Sequence, residues 1–274
     1  MRVGTPLRLA GIRHIRFTQN PMRSELAVEA QYFGERLADY GMSASPHQPR
    51  AGNRNSYAQM SLRLVTELRA DPELIVLAHA LPDSDMRTSP AGLLSRQLVG
   101  RPMVFGVSEQ GRATPFMALR LAEAYTALGT RSAAVLILDQ GTLFYQDPVL
   151  AELDTATDHA VGLWFTATAA IGAGPTRQWT DVPPDRAGAL LSEAIGDAGP
   201  GPVTVTAGTR VPDVPGAAMR RGAAGQLCTS VWSDLAGQLA KPSPADRTIL
   251  VTEYEPTLGY LSVTPFQAPA GQSC

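Results

Sequence analysis

The chain has 274 residues, enough for one large domain or two fused smaller ones with a full buried core. Hydrophobic residues make up 44% and charged residues 18%, a globular composition that excludes a disordered chain. The net charge of −2 and the lack of any basic run beyond Arg220–Arg221 argue against nucleic acid as a partner.

Taken in chain order, 7–17 alternates as a strand does, and 25–40 repeats apolar residues at helical spacing. The run PHQPRAGNRN (46–55) is a loop by its Pro, Gly and Asn, and 56–69 is a second helix. LIVLAHA (74–80) is a short apolar run of buried-strand type. A short helix over 91–99, a strand over 103–107, a helix over 113–128 and a strand over 133–138 follow, and 160–167 and 169–171 close this part in extended form. The remainder starts again: a strand over 179–182, a helix over 185–196, a strand over 203–207 and a short helix over 217–224. A helix over 230–240 and strands over 248–252 and 260–265 complete it. Alternating strands and helices predict an α/β layered fold with parallel strands, in two similar halves, 1–174 and 175–274, the second shortened.

The helix over 113–128 is the informative element, because only Arg120 and Glu123 are charged in it. A helix apolar nearly all round is buried on most sides. No apolar run reaches the roughly 18 residues of a membrane span, and MRVGTPLRLAGIRHIRF lacks a signal-peptide core. Cys228 and Cys274 form no disulfide framework, so a cytoplasmic protein is expected.

Several segments, in order, resemble the thiolase superfamily and within it the ketoacyl synthase III group. They are LIVLAHALPDSD (74–85), SPAGLLSRQLVG (89–100), VFGVSEQGRATPFMALRLAEAYTALG (104–129), SAAVLILDQ (132–140) and RTILVTEYEPTLGYLSVTPF (247–266). The resemblance implies two βαβαβ-type halves with helices buried between two sheets. It also implies a Cys at the mouth of the buried helix, where the helix dipole favours a thiolate, with a His and an Asn from the second half. Here the Cys position falls on Arg112 or, anchored on the preceding strand, on Gly111. The histidines are His14, His47, His79 and His159 and the asparagines Asn20, Asn53 and Asn55, so no His or Asn lies beyond residue 170. VTVTAGTR (203–210) stands where the His segment is expected, and GQLCTSVWSDLAG (225–237) stands near the Asn segment. The resemblance therefore implies a pseudoenzyme with the Cys-His-Asn triad absent.

Around the vestigial position stand Glu109, Gln110 and Gly111. Arg112 reads either as a group that neutralises an acyl or phosphate ligand or as one half of an ion pair with Glu109. If the strand and helix are an inherited frame whose reactive position is dispensable, Arg112→Ala is expected to leave the fold intact, within about 1 kcal/mol. Gln110 reads as a turn residue. Ser108 and Cys228 are fallback nucleophiles, but GVSEQG is not a nucleophile elbow and Cys228 has no His in its own half. His79 reads as a core histidine. His159, after Asp154 and Asp158, lacks a spaced third ligand, so no metal is expected, and Gly172 and Gly174 lack the rest of a dinucleotide fingerprint, so no cofactor is expected.

Family members work as dimers in which a loop of one subunit shapes the other's pocket. That loop is SDMRTS (84–89), with Met86 and Arg87 as the pocket or partner residues. The resemblance thus implies a non-catalytic subunit paired with a catalytically competent ketosynthase, or a self-dimer, in fatty-acid, polyketide or other secondary-metabolite biosynthesis. An acyl carrier protein or acyl-CoA is a further expected partner. The competing expectation is an acyltransferase with reworked, non-Cys chemistry on an acyl thioester.

Overall fold

The computed structural model describes residues 7–18, 26–39, 41, 55–85, 87–143, 145, 147–199 and 201–274. The loop over 46–55 and Met86 lie outside these, apart from Asn55. The first half contains β1 (Arg8–Phe17), α1 (Leu26–Ala38), α2 (Tyr57–Leu68), β2 (Leu74–His79), α3 (Pro90–Gln97), β3 (Met103–Val107), α4 (Thr114–Ala127), β4 (Ser132–Asp139) and β5 (Asp158–Thr166). β6 (Ile171–Ala173), just before the expected boundary at 174, leads into the second half, which contains β7 (Arg177–Trp179), α5 (Pro184–Gly196), β8 (Val203–Ala207), β9 (Ala218–Arg221), α6 (Ser230–Leu239), β10 (Arg247–Glu255) and β11 (Tyr260–Ala268).

The strands are hydrogen-bonded in the order β3-β2-β4-β5-β1-β6-β11-β10-β8-β9, with β7 on β11. A repeat invisible in the residues is plain in the pairing. In the first half β3∥β2∥β4 is parallel, and β5 runs antiparallel to β4 and to β1. In the second half β9∥β8∥β10 is parallel, and β11 runs antiparallel to β10 and to β6. The two expected sheets are one hydrogen-bonded path because β6 bridges them, by two residue pairs to β1 and two to β11.

Alternation along the strands sets the layers. Leu74, Val76 and Ala78 join a central core with Phe116, Leu119, Trp232 and Leu235, whereas Ile75 and Leu77 join Tyr57, Met60 and Leu64 of α2 and Leu94 of α3. In the second half Ile249 and Val251 face the central core and Leu250 faces Ala187 and Leu191 of α5. So α4 and α6 lie in a central layer between the halves, as the low charge of α4 requires. The Phe116 and Trp232 rings sit 5.0 Å apart, each fully buried and each contributing about 2–3 kcal/mol by burial. Among the described residues no helix is long and apolar enough to cross a membrane.

One expected element is wrong in kind. Residues 217–224 hold no helix; Ala218–Arg221 form the edge strand β9, paired in parallel with β8. Partner-strand hydrogen bonds override the weak helical propensity of AAMRR. The expected strand over 179–182 is β7, two residues earlier, and that over 169–171 is β6, two residues later.

Candidate active site

The carboxyl ends of the parallel strands and the N-terminal mouths of the two buried helices meet at one end of the molecule, where layered α/β folds place their sites. The mouth of α4 is the turn after β3. Glu109 and Gly111 have φ of +63° and +52°, and a 3-10 turn over Gly111–Ala113 leads into the helix. Gly111 has a second reason to be glycine, since a side chain there would collide with the Glu255 carboxylate. The mouth of α6 is Gln226–Thr229. The two mouths touch: Cys228 Sγ lies 3.6 Å from the Gly111 carbonyl oxygen.

Each mouth is closed by a carboxylate from the opposite half. At α4 the Arg112 N–H donates to Glu255 Oε2 at 3.2 Å, from the end of β10. At α6 Asp139, from the end of β4, accepts the Cys228 N–H at 3.0 Å, the Thr229 N–H at 2.8 Å and the Thr229 hydroxyl at 2.7 Å. Carboxylates are favoured at helix N-termini by the free amides and the dipole, so both contacts are stabilising. They also occupy the amides that would otherwise hold an oxyanion.

Arg112 is buried, not a surface residue, and its ion-pair partner is Glu152 rather than Glu109. Its Nη2 donates to Glu152 Oε2 at 2.8 Å and its Nη1 to the Gln226 carbonyl at 3.2 Å. Glu152 also takes an ion pair from Arg210. Glu109 is exposed, at a residue of left-handed backbone conformation, and it makes no ion pair with Arg112. Glu109, Gly111, Arg112, Glu152, Arg210 and Glu255 line a cavity of about 480 Å³ over the α4 mouth, within the size range of small-ligand pockets.

Beneath the mouths lies Glu253, on the same face of β10 as Glu255. It is 1% exposed, and neither carboxyl oxygen has a hydrogen-bond partner. Its carboxyl fills the space left by the missing side chain of Gly208, just past β8. Burial pushes its pKa up to about 8, and Glu255 and Asp139 add to it; Arg112 opposes this, as does the backbone N–H of Tyr254, which lies near the carboxyl but outside hydrogen-bond geometry. Asp139 is also raised by burial, against the pull of its donors at Thr229 and Cys228. Burial likewise drives the Cys228 thiol up, and the Asp139 carboxylate beside it adds to the effect. Cys228 at this site is therefore a thiol, not a thiolate, and its own backbone amide is already taken.

The other sequence candidates separate from the cavity or stay passive in it. Ser108 is exposed, and Gln110 is half-buried with its Oε1 unpartnered. Arg87 is exposed and pairs with Asp85 at 3.3 Å. His79 is half-buried and contacts the Leu81 carbonyl through Nδ1 at 2.7 Å. His159 meets His14, Nδ1 to Nε2 at 3.1 Å, with no carboxylate completing a ligand set. Among the described residues no group of three or more His, Cys, Asp or Glu is placed to hold a metal ion.

Sequence reasoning missed Asp139, Glu152, Arg210, Glu253 and Glu255. A signal was present for three of them: Asp139 ends the apolar strand SAAVLILD (132–139), and Glu253 and Glu255 fall in the last three residues of RTILVTEYE (247–255), whose middle is buried. Ending a buried strand on an acid demands a donor, here the mouth of a helix for two of the three.

No protein-family model and no curated protein matches the chain. Solved structures do. The chain is similar to ChlB3, an acyltransferase, at 16% identity and a TM-score of 0.64, over 98% of this chain and 100% of that one. It is similar to 3-oxoacyl-(acyl carrier protein) synthase III of Pseudomonas aeruginosa at 14% identity and a TM-score of 0.60, over 96% and 98%. It is similar to OleA of Xanthomonas campestris at 12% identity and a TM-score of 0.61, over 95% and 98%. At these identities the likeness establishes the fold: the chain has the thiolase-like fold of the ketoacyl synthase III group.

Proposed function

We propose that the chain is a non-catalytic ketosynthase III-like subunit that pairs with a catalytically competent ketosynthase in fatty-acid, polyketide or other secondary-metabolite biosynthesis. One observation carries this reading: the protein's own carboxylates cap both helix mouths, Glu255 at Arg112 and Asp139 at Cys228 and Thr229. A condensing site needs those amides free and a thiolate beside them, and here the Cys228 thiol is buried and neutral. No His or Asn follows residue 170 to assist decarboxylation. The test is to incubate the isolated chain with acyl thioesters and malonyl thioesters. Unchanged intact mass, with no thiol release above background, is expected. Acylation of the chain would overturn the reading.

A second reading, an acyltransferase with non-Cys chemistry, is favoured by Glu253. A buried, unpartnered carboxyl with a pKa near 8 beside Arg112 has the properties of a general acid–base group. ChlB3, which shares the fold, is named an acyltransferase. Thiol release that needs an added amine or alcohol and is lost in Glu253→Gln would select this reading.

A further inference from the structure

The cavity over the α4 mouth carries an imbalance of charge that the capped amides do not explain. Four carboxylates line it, Glu109, Asp147, Glu152 and Glu255, against two guanidinium groups, Arg112 and Arg210. Both guanidinium groups are spent on one acid: Arg112 pairs with Glu152 Oε2 at 2.8 Å, and Arg210 pairs with its Oε1. Glu109, Asp147 and Glu255 are left without an ion-pair partner among the described residues. The donors that two of them do have are backbone amides. Asp147 Oδ1 accepts the Val149 N–H at 2.9 Å, and Glu255 accepts the N–H groups of Arg112 and Thr257, each at 3.2 Å. Burial pushes the Tyr145 phenol up, and Asp147 and then Glu109 add to it, so these two carboxylates stand around the same group.

This is a cavity and not only a group of acids. One wall is apolar, made by Val149, Leu227 and Leu258, and Leu258 is 39% exposed. Behind it stands Glu253, 1% exposed, with neither carboxyl oxygen hydrogen-bonded. It lies on the same face of β10 as Glu255 and within electrostatic reach of both Glu255 and Arg112. A buried acceptor left open behind a cavity suits a donor that the chain itself does not supply. That donor is cationic, because three unpaired carboxylates around about 480 Å³ attract positive charge and repel phosphate and carboxylate. A bare metal ion does not fit: among the described residues no three such ligands are placed to hold one, and hydrocarbon forms part of the wall.

We propose that this cavity binds a small organic cation, an alkylamine or alkyldiamine, with its ammonium groups on Glu109, Asp147 and Glu255 and its hydrocarbon on Val149, Leu227 and Leu258. The assignment goes beyond the pairing of the chain with a ketosynthase, which calls for no ligand here.

Isothermal titration of the purified chain at low salt with putrescine, butylamine, butyrate and magnesium chloride tests this. Putrescine is expected to bind saturably at one site, more tightly than butylamine, and to be displaced by neither butyrate nor magnesium at equal concentration. Glu109→Gln and Asp147→Asn keep the shape of the lining and should each weaken putrescine about threefold, and together about tenfold. Arg210→Gln removes a cation and should tighten putrescine about threefold. Leu258→Ser should weaken it about threefold. Circular dichroism checks that each variant is folded. No saturable binding up to about 10 mM putrescine, binding equalled by magnesium or butyrate, or an affinity that the charge variants leave unchanged overturns the proposal. A stoichiometric ketosynthase complex from the native cells, with no amine binding by the chain, defeats this inference alone. Amine binding by a chain that never takes a ketosynthase defeats the proposed function alone.

Discussion

Glu253→Gln is the sharpest physical test of the closed site. The carboxyl is 1% exposed and without partners, and burial raises its pKa from 4.5 to about 8. The folded value lies above the unfolded one. The stability this group contributes is therefore complete below pH 4.5 and is lost as pH rises toward 8. The full loss is on the order of 5 kcal/mol, and about 3 kcal/mol of it has gone by pH 7. Glutamine keeps the shape and cannot ionise, so the variant carries no such loss. Urea unfolding of both proteins at pH 5, 7 and 9 reads the difference directly, because every other titrating group cancels between them. The variant is expected to gain on the wild type steadily with pH and to be several kcal/mol ahead at pH 9. A difference that stays constant within about 0.5 kcal/mol from pH 5 to 9 would refute the placement of Glu253 in an unpaired, buried setting.

Arg112→Ala should destabilise the fold by about 2–3 kcal/mol, more than a surface ion pair would, because it strands the Gln226 carbonyl and opens a cavity; thermal and urea unfolding measure it. His14 has its pKa lowered to about 4, mainly by burial and then by His159, so its contribution is present above pH 6.5 and is lost as pH falls toward 4. After solvent screening that is on the order of 1–2 kcal/mol, and His14→Gln should flatten the acid limb of the stability profile. Iodoacetamide on the native protein should modify Cys274, which is partly exposed, well before Cys228, by peptide mass spectrometry. Arg112→Cys should give no malonyl-dependent condensation, because no His or Asn in the second half can assist it.

The frame of the molecule was legible where burial dictates residue type. LIVLAH and SAAVLILD read as strands because both their faces are covered. The low charge of α4 foretold a central layer for the same reason. β9 was not legible: AMRR has neither alternation nor β-branched residues, and only its pairing with β8 makes it a strand. The site was half legible. Arg112 was identified at the helix mouth from local order, and its partner was misjudged because proximity in sequence, to Glu109, was taken for proximity in space. Glu152 lies 40 residues away and Glu255 lies 143 away, and such contacts come from the topology of the two halves rather than from any local pattern. Two similar halves were expected from the order of the elements and not from any repeat of residues, because the likeness lies in the strand pairing.

The measurement that bears most directly on the proposed role is purification of the tagged chain from its native cells, with the complex weighed intact and its components identified. A one-to-one complex with a ketosynthase that carries an intact Cys, His and Asn is the expected result. Recovery of this chain only with itself, together with thioester turnover by that material, would contradict a non-catalytic partner subunit and leave the Glu253-assisted acyltransferase in its place.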